Sequence, residues 1–316
     1  MKYKNQILNS FQGKIKNCIA IVAMAMIINA CDEYKVYEQE LYKQVIALIC
    51  SDNFNILTDT QQLGEDVVGY VAVSCGGTGA PTENVRIKII EDERVLEAYN
   101  WNRYESDQAK YDKRLPASKY HIDDYQIVIP QGERSGKMKI WFRPDGLSPD
   151  SAYYLPLAIE SVSAYEVNPK KSNTLYRVLI KNLYAEQMTI GHTTYRMNGY
   201  RDVSSITVDK QMQPLTTNKV RMMAGNLEFS TSLADIEARA VVLEVTGDRV
   251  KITPYKGNGS LIIKQIDGDP DYPNTFKMTH EWDKRFKVFL LHYKYKAGVA
   301  PEVEMREELK LEFIDQ

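Results

Sequence analysis

Two kinds of side chain in this sequence are placed to do chemistry: a cysteine closing an apolar run, and tryptophans set among polar residues. Cys31 ends the run Ile27-Ile28-Asn29-Ala30-Cys31, after an apolar stretch from Cys18 to Ile28 that follows Lys2, Lys4, Lys14 and Lys16. The lysines would hold the N-terminus on the cytoplasmic side, and the stretch is shorter than the roughly 20 residues a spanning helix needs. It therefore reads as the apolar region of a signal peptide. A thiol is the nucleophile that takes up a diacylglycerol, and the small Ala30 precedes the cut. Asn29 departs from the small or aliphatic residue usual there. The expectation is a lipoprotein signal over residues 1–30 and lipidation at Cys31, with several acyl chains anchoring the mature chain to a membrane. An ordinary secretory peptide with an incidental Cys31 is the competing reading.

Aromatic faces suit sugars, because sugar C–H bonds stack on Trp and Tyr rings while Asn, Asp and Arg bond the hydroxyls. In Lys137-Met138-Lys139-Ile140-Trp141-Phe142, strand alternation sends Trp141 to the face of Lys137 and Lys139, away from Met138, Ile140 and Phe142. The run Tyr99-Asn100-Trp101-Asn102-Arg103-Tyr104 concentrates rings and hydrogen-bonding groups in a segment that interrupts the strands. Trp282 lies in the polar run Thr279-His280-Glu281-Trp282-Asp283. Trp101, Tyr99, Tyr104, Arg103, Trp141 and Trp282 are thus the candidate glycan contacts. The alternative for each is packing: under a loop, as a cap on the end of a sheet, or against a second domain. Tyr293 and Tyr295 alternate with His292 and Lys294 and read as barrel interior.

Enzyme signatures are absent. The chain holds no H-E-x-x-H, G-x-S-x-G, C-x-x-C or P-loop. His121, His192, His280 and His292 lack zinc spacing. Asp267-Gly268-Asp269-Pro270-Asp271 starts like a calcium loop, but Tyr272 and Met278 stand where the glycine and the bidentate Glu belong. A polar turn is the better reading. Neither a metal nor another cofactor is expected. Glu91-Asp92-Glu93 and Glu304-Met305-Arg306-Glu307-Glu308 read as solvated faces.

The elements that must hold these residues are β-strands nearly throughout. Asn84 to Ile89, Lys137 to Phe142 and Glu308 to Phe313 alternate with period two, as antiparallel sheets with one polar face do. Asp92 to Tyr104 has helical spacing, and a helical turn is expected around Leu233 to Ala238. Turn signals such as Pro144-Asp145-Gly146 and Thr246-Gly247-Asp248 separate the strands. A domain boundary is expected near Asn182 to Gly191, giving domains over 31–184 and 185–316. Without its first thirty residues, which carry four lysines and no acid, the chain has 36 basic and 42 acidic side chains, a net charge of −6. That balance excludes a nucleic-acid partner. Cys50 and Cys75 could form a disulfide in an oxidising compartment, but two thiols packed in strands are the favoured reading.

One ordered set of segments resembles a known family. It runs through Val73-Ser74-Cys75-Gly76-Gly77-Thr78, Asn84-Val85-Arg86-Ile87, Tyr99-Asn100, Leu115-Pro116 and Tyr120. It continues with Tyr125-Gln126-Ile127-Val128-Ile129-Pro130-Gln131-Gly132 and Tyr153-Tyr154-Leu155-Pro156-Leu157-Ala158-Ile159. In this order they resemble the N-terminal domain of a large Bacteroidetes family of outer-surface lipoproteins from polysaccharide-utilisation loci. Tyr195-Arg196-Met197-Asn198-Gly199-Tyr200, Lys251 to Tyr255 and Leu290 to Tyr295 look like its calycin-type C-terminal companion. The resemblance implies an all-β chain: an immunoglobulin-like β-sandwich, then an antiparallel β-barrel-like domain. It also implies a lipid anchor in the outer membrane, with polysaccharide or oligosaccharide as ligand and an outer-membrane glycan importer and its companion lipoproteins as partners. Asp32 and Glu33 after Cys31 resemble the surface-export signal of this bacterial group. The expected function is non-catalytic glycan binding at the cell surface. The alternatives are a structural or adhesive surface subunit and a lipocalin-like small-ligand carrier.

Overall fold

The computed structural model describes residues 42–257 and 259–314, so the signal expected over 1–30 and the acylation site at Cys31 lie outside the described residues. The first half contains β1 (Val45–Leu48), β2 (Ile56–Gln62), β3 (Val67–Gly76), β4 (Val85–Glu91), β5 (Lys113–Arg114), β6 (Tyr120–His121), β7 (Gln126–Ile129), β8 (Ser135–Phe142), β9 (Tyr153–Val162), β10 (Glu166–Val167) and β11 (Asn173–Lys181). Helix α1 (Glu93–Tyr104) follows β4. One sheet runs in the order β10-β1-β3-β8-β6, and the other β2-β11-β9-β4-β7 with β5 beside β9. Together they form the immunoglobulin-like sandwich.

The period-two runs fold as read. Val85, Ile87 and Ile89 of β4 and Met138, Ile140 and Phe142 of β8 are buried, and their neighbours at even spacing face outward. Leu155 and Leu157 of β9 and Tyr176 and Val178 of β11, in the sheet of β4, join the same core. Packing here is close enough to dictate Gly69. A Cβ on it would meet the Tyr176 hydroxyl at 2.1 Å, and that hydroxyl donates to Asp59 Oδ2 at 2.5 Å. Cys50 and Cys75 are not joined to each other: Cys75 is buried in β3, while Cys50 lies just past β1 and half-buried.

The second half contains β12 (Thr193–Arg201), β13 (Ser204–Thr216), β14 (Lys219–Met223), α2 (Leu233–Arg239), β15 (Ala240–Thr246), β16 (Arg249–Pro254), β17 (Leu261–Gln265), β18 (Thr275–Glu281), β19 (Lys284–Ala297) and β20 (Val303–Phe313). It is a closed antiparallel barrel. Strand β20 closes it by pairing with β12 on one edge and β19 on the other. Long β19 takes β18 along its first half and β17 along its second. The centre is filled: Phe289 meets Tyr184, Tyr195 and Phe276 at ring-centroid distances of 4.8–5.9 Å. Tyr293 and Tyr295 point inside, as the alternation predicts. Phe289, Leu291 and Tyr293 pack into this core, and the carrier alternative finds no support in them.

One expectation is overturned. Glu307 does not belong to a solvated face: it shares the inward register of Val303, Met305 and Leu309 and is fully buried. Its carboxylate accepts from Lys210 Nζ at 3.0 Å and from the Tyr293 hydroxyl at 2.7 Å. Burying a charge this deeply is tolerable only with such partners. Charge type predicts exposure on average, but strand parity decides it residue by residue.

The two halves meet through polar side chains. Arg221, buried in β14, pairs with Asp150 of the β8–β9 loop. Gln213 Nε2 donates to the same carboxylate at 3.3 Å, and Gln187 Nε2 donates to the carbonyl of Pro149 at 3.1 Å. Core residues of the sandwich end at Ile180 and those of the barrel begin at Tyr184.

Candidate functional site

The glycan candidates fall into three places, and the structure does not bring them together. The first is α1. Asp92 caps it by accepting from the Arg94 backbone N–H at 3.1 Å, and the Arg94 guanidinium closes on the same carboxylate at 2.8 Å. These bonds hold the Asp92 carboxyl below its ordinary range. Leu96 and Tyr99 face down onto Tyr154 and Leu175, fastening the helix over the outside of the β2-β11-β9-β4-β7 sheet. Tyr99 is therefore consumed by packing; its hydroxyl lies 3.2 Å from that of Tyr154 and accepts from Arg103 Nη1 at 2.8 Å. Arg103 lies over the rings of both Tyr99 and Tyr104. Tyr104 donates to Asp112 Oδ2 at 3.3 Å, and burial pushes the Asp112 carboxyl up. Four of the six candidates thus belong to this helix, where Tyr99, Arg103 and Tyr104 brace one another.

Trp101 is left at 61% exposure on the solvent side of α1. Helical spacing puts it on the stripe of Arg94 and Ala98. Those two residues, with Phe54, Asn55, Asn102 and Asn173, line an open groove of about 450 Å³. Phe54 and Asn55 both have left-handed backbone, at φ 52° and 54°, which a bulky residue such as Phe adopts rarely. The Asn55 side chain donates to the Lys170 carbonyl at 2.8 Å and fixes that bend.

The second place is the outer face of the β10-β1-β3-β8-β6 sheet. Trp141 is 39% exposed there. Its indole N–H donates to Asp123 Oδ2 at 3.2 Å, and the other oxygen of Asp123 lies 2.9 Å from His121 Nε2. Register places Val68 opposite Trp141 and Tyr70 opposite Lys139. Tyr70, 42% exposed, is diagonal to Trp141 on the same face, and Lys137 Nζ sits 4.3 Å from its ring centroid. Tyr70, His121 and Asp123 were not among the sequence candidates. Outward Tyr70 was legible from inward Val71, Val73 and Cys75, although the adjacent Val67 and Val68 blur that alternation.

The third place is the hairpin between β18 and β19. Glu281 pairs with Lys284, leaving Trp282 and Asp283 as a two-residue tip. Trp282 is fully exposed, with φ 60°, a conformation that hairpin turns usually assign to Gly or Asn. The Asp267–Asp271 segment is held internally: Asp269 accepts from the backbone N–H groups of Asp271 and Tyr272 and pairs with His292 at 2.8 Å. Among the described residues no helix is long and apolar enough to cross a membrane.

A family model for an N-terminal domain matches residues 37–166, and one for a C-terminal domain matches residues 172–310. No curated protein matches the sequence. Among solved structures, the chain is similar to a protein of unknown function from Bacteroides ovatus, at 16% identity and a TM-score of 0.65, over 85% of this chain and 95% of that one. A multidomain protein including DUF1735 from the same organism matches at 15% identity and a TM-score of 0.64, again over 85% and 95%. An auxiliary nutrient binding protein from Bacteroides thetaiotaomicron matches at 14% identity and a TM-score of 0.57, over 81% and 90%. At these identities the likeness shows the fold. The chain thus carries the N-terminal and the C-terminal domain of the two matching family models, in that order, on a fold it shares with these Bacteroides proteins.

Proposed function

We propose that the chain is a non-catalytic lipoprotein of the outer membrane that binds glycans at the cell surface for a polysaccharide-utilisation system. The observation that carries this reading is the placement of tryptophan. The sequence has three, and Trp101, Trp141 and Trp282 all reach solvent, whereas Trp is highly buried on average. Exposed rings flanked by Arg94, Asn102, Lys139 and Asp123 are what sugar stacking with hydroxyl recognition requires. The similar fold of an auxiliary nutrient binding protein supports the same reading. An importer and companion lipoproteins remain the proposed partners, and the domain boundary is proposed between Ile180 and Tyr184, where one core gives way to the other.

Isothermal titration of the mature chain against plant and host oligosaccharides tests the binding. At least one sugar class should bind, and replacing Trp101, Trp141 and Trp282 by Ala together should abolish the heat. Silence across the panel would remove the reading. A structural or adhesive subunit is the second reading, favoured by β2, a seven-residue edge strand with Asp59 as its one charge, of the kind that adds to a neighbouring strand. Self-association on a sizing column, with no sugar bound, would select it. The anchor is tested separately: labelled palmitate should enter the wild-type protein in cells and not Cys31→Ser.

A further inference from the structure

We infer that the outer face formed by β3 and β8 binds an acidic oligosaccharide, one built of uronic acid units, with Trp141 and Tyr70 against the sugar rings and Lys137 and Lys139 against the carboxylates. The inference rests on the glycan-binding reading and adds the ligand's charge and the face that takes it. Along β8 the outward residues Lys137, Lys139 and Trp141 follow at about 7 Å intervals, and β3 sets Tyr70 opposite Lys139. Ammonium groups and rings therefore interleave on one surface of paired, interior strands.

Three features favour an anionic ligand. Among the described residues, exposed Lys139 has no carboxylate partner, and Lys137 has only the Tyr70 ring. Five other exposed cations of the sandwich are differently placed: Lys43, Lys88, Arg94, Lys110 and Arg143 each sit on an acid. A chain with net charge −2 that leaves two neighbouring cations unanswered beside two aromatic rings has kept them for something negative. Second, the Trp141 ring is fixed in advance by Asp123, which spends both oxygens on His121 and the indole, so little side-chain entropy is lost on stacking. Third, the choice of carboxylate over sulfate follows from the backbone. The N–H groups of β3 and β8 are committed to their ladder, leaving none of the bare N–H nests that hold tetrahedral oxyanions. The one arginine at the end of β8, Arg143, is engaged by Asp66.

The test titrates the mature protein with tetragalacturonate, its fully methyl-esterified form and a sulfated neutral tetrasaccharide. Tetragalacturonate should bind, and esterification, which removes the charge and keeps the rings, should weaken binding about tenfold or more, the equivalent of one lost charge-assisted contact. Lys139→Met should erase that preference by lowering the acid's affinity to that of the ester. Trp141→Ala should weaken both forms. Each variant should unfold at the wild-type temperature, because both side chains are exposed. Equal affinity for acid and ester would overturn the inference while leaving glycan binding in place, as would tighter binding of the sulfated sugar. Binding by other glycans with none by either uronate would overturn it too. No binding by any glycan would remove the underlying reading itself.

Discussion

The sandwich and the barrel handle their charges in opposite ways. In the sandwich no ion pair has both partners buried among the described residues; the most enclosed, Arg114 with Glu91, keeps about a fifth to a third of each side chain in solvent. In the barrel, Lys210 and Glu307 pair in the interior with almost no exposure, and Tyr293 ties Glu307 to the Gly225 backbone. The sandwich is open: its sheets have outer faces, and one of them carries Tyr70, Trp141, Lys137 and Lys139. The barrel is closed by β20, so every strand has one face in a sealed core, and a charged residue at an inward position has no route to water. The difference teaches where function is free to change. The sandwich can alter its outer face without disturbing its core, whereas the barrel has committed polar groups to holding one shape and one docking geometry.

The sharpest way to break this contrast is at the buried pair. Lys210→Met should destabilise the protein by about 3–5 kcal/mol, because it leaves Glu307 charged in a dry core. The double variant Lys210→Met/Glu307→Leu should recover much of that loss. Urea unfolding of the three proteins checks this, and a loss below about 1 kcal/mol for the single variant would mean that the interior is wet. Exposed Lys139→Met, measured alongside, should shift stability by less than about 0.5 kcal/mol.

A smaller effect sharpens the comparison at the seam between the halves. His192 packs against Phe229 and lies 2.8 Å from Gln213 Nε2. Burial lowers its pKa from 6.5 to about 4, with Asp150 pulling up and Arg221 pushing down. The unfolded chain therefore takes up a proton between those values that the folded chain refuses. Its contribution to stability is complete above pH 6.5 and is lost as the pH falls towards 4. The expected loss is about 2 kcal/mol, allowing for the partial exposure of His192. His192→Gln should flatten the stability curve over this window; an unchanged slope would place the sensitivity elsewhere.

Much of the fold was legible along the chain. The alternations in β4 and β8 fixed which residues turn inward, and Asp92 marked the start of α1. At the site, legibility stopped at single residues. Trp141 was assigned to the lysine face from parity alone, but its partner Tyr70 lies some seventy positions upstream, and only the β3–β8 register makes them neighbours. Tyr99 was legible as an aromatic in a helix but not as the one that faces Tyr154, because the side a helix buries depends on the sheet beneath it.

What the sequence determined by itself is local and periodic: an all-β chain of two halves, the parity of each strand and the position of one helix. These follow from side-chain polarity at fixed spacing, which acts within a few residues. What only the tertiary structure decided is pairing across distance. Strand closure sealed Glu307 inside with Lys210, the β8–β9 loop brought Asp150 to Arg221, and sheet register set Tyr70 beside Lys137 and Lys139. Such contacts join residues 60 or more positions apart, and their energies depend on the water excluded when the sheets close, which no local pattern encodes.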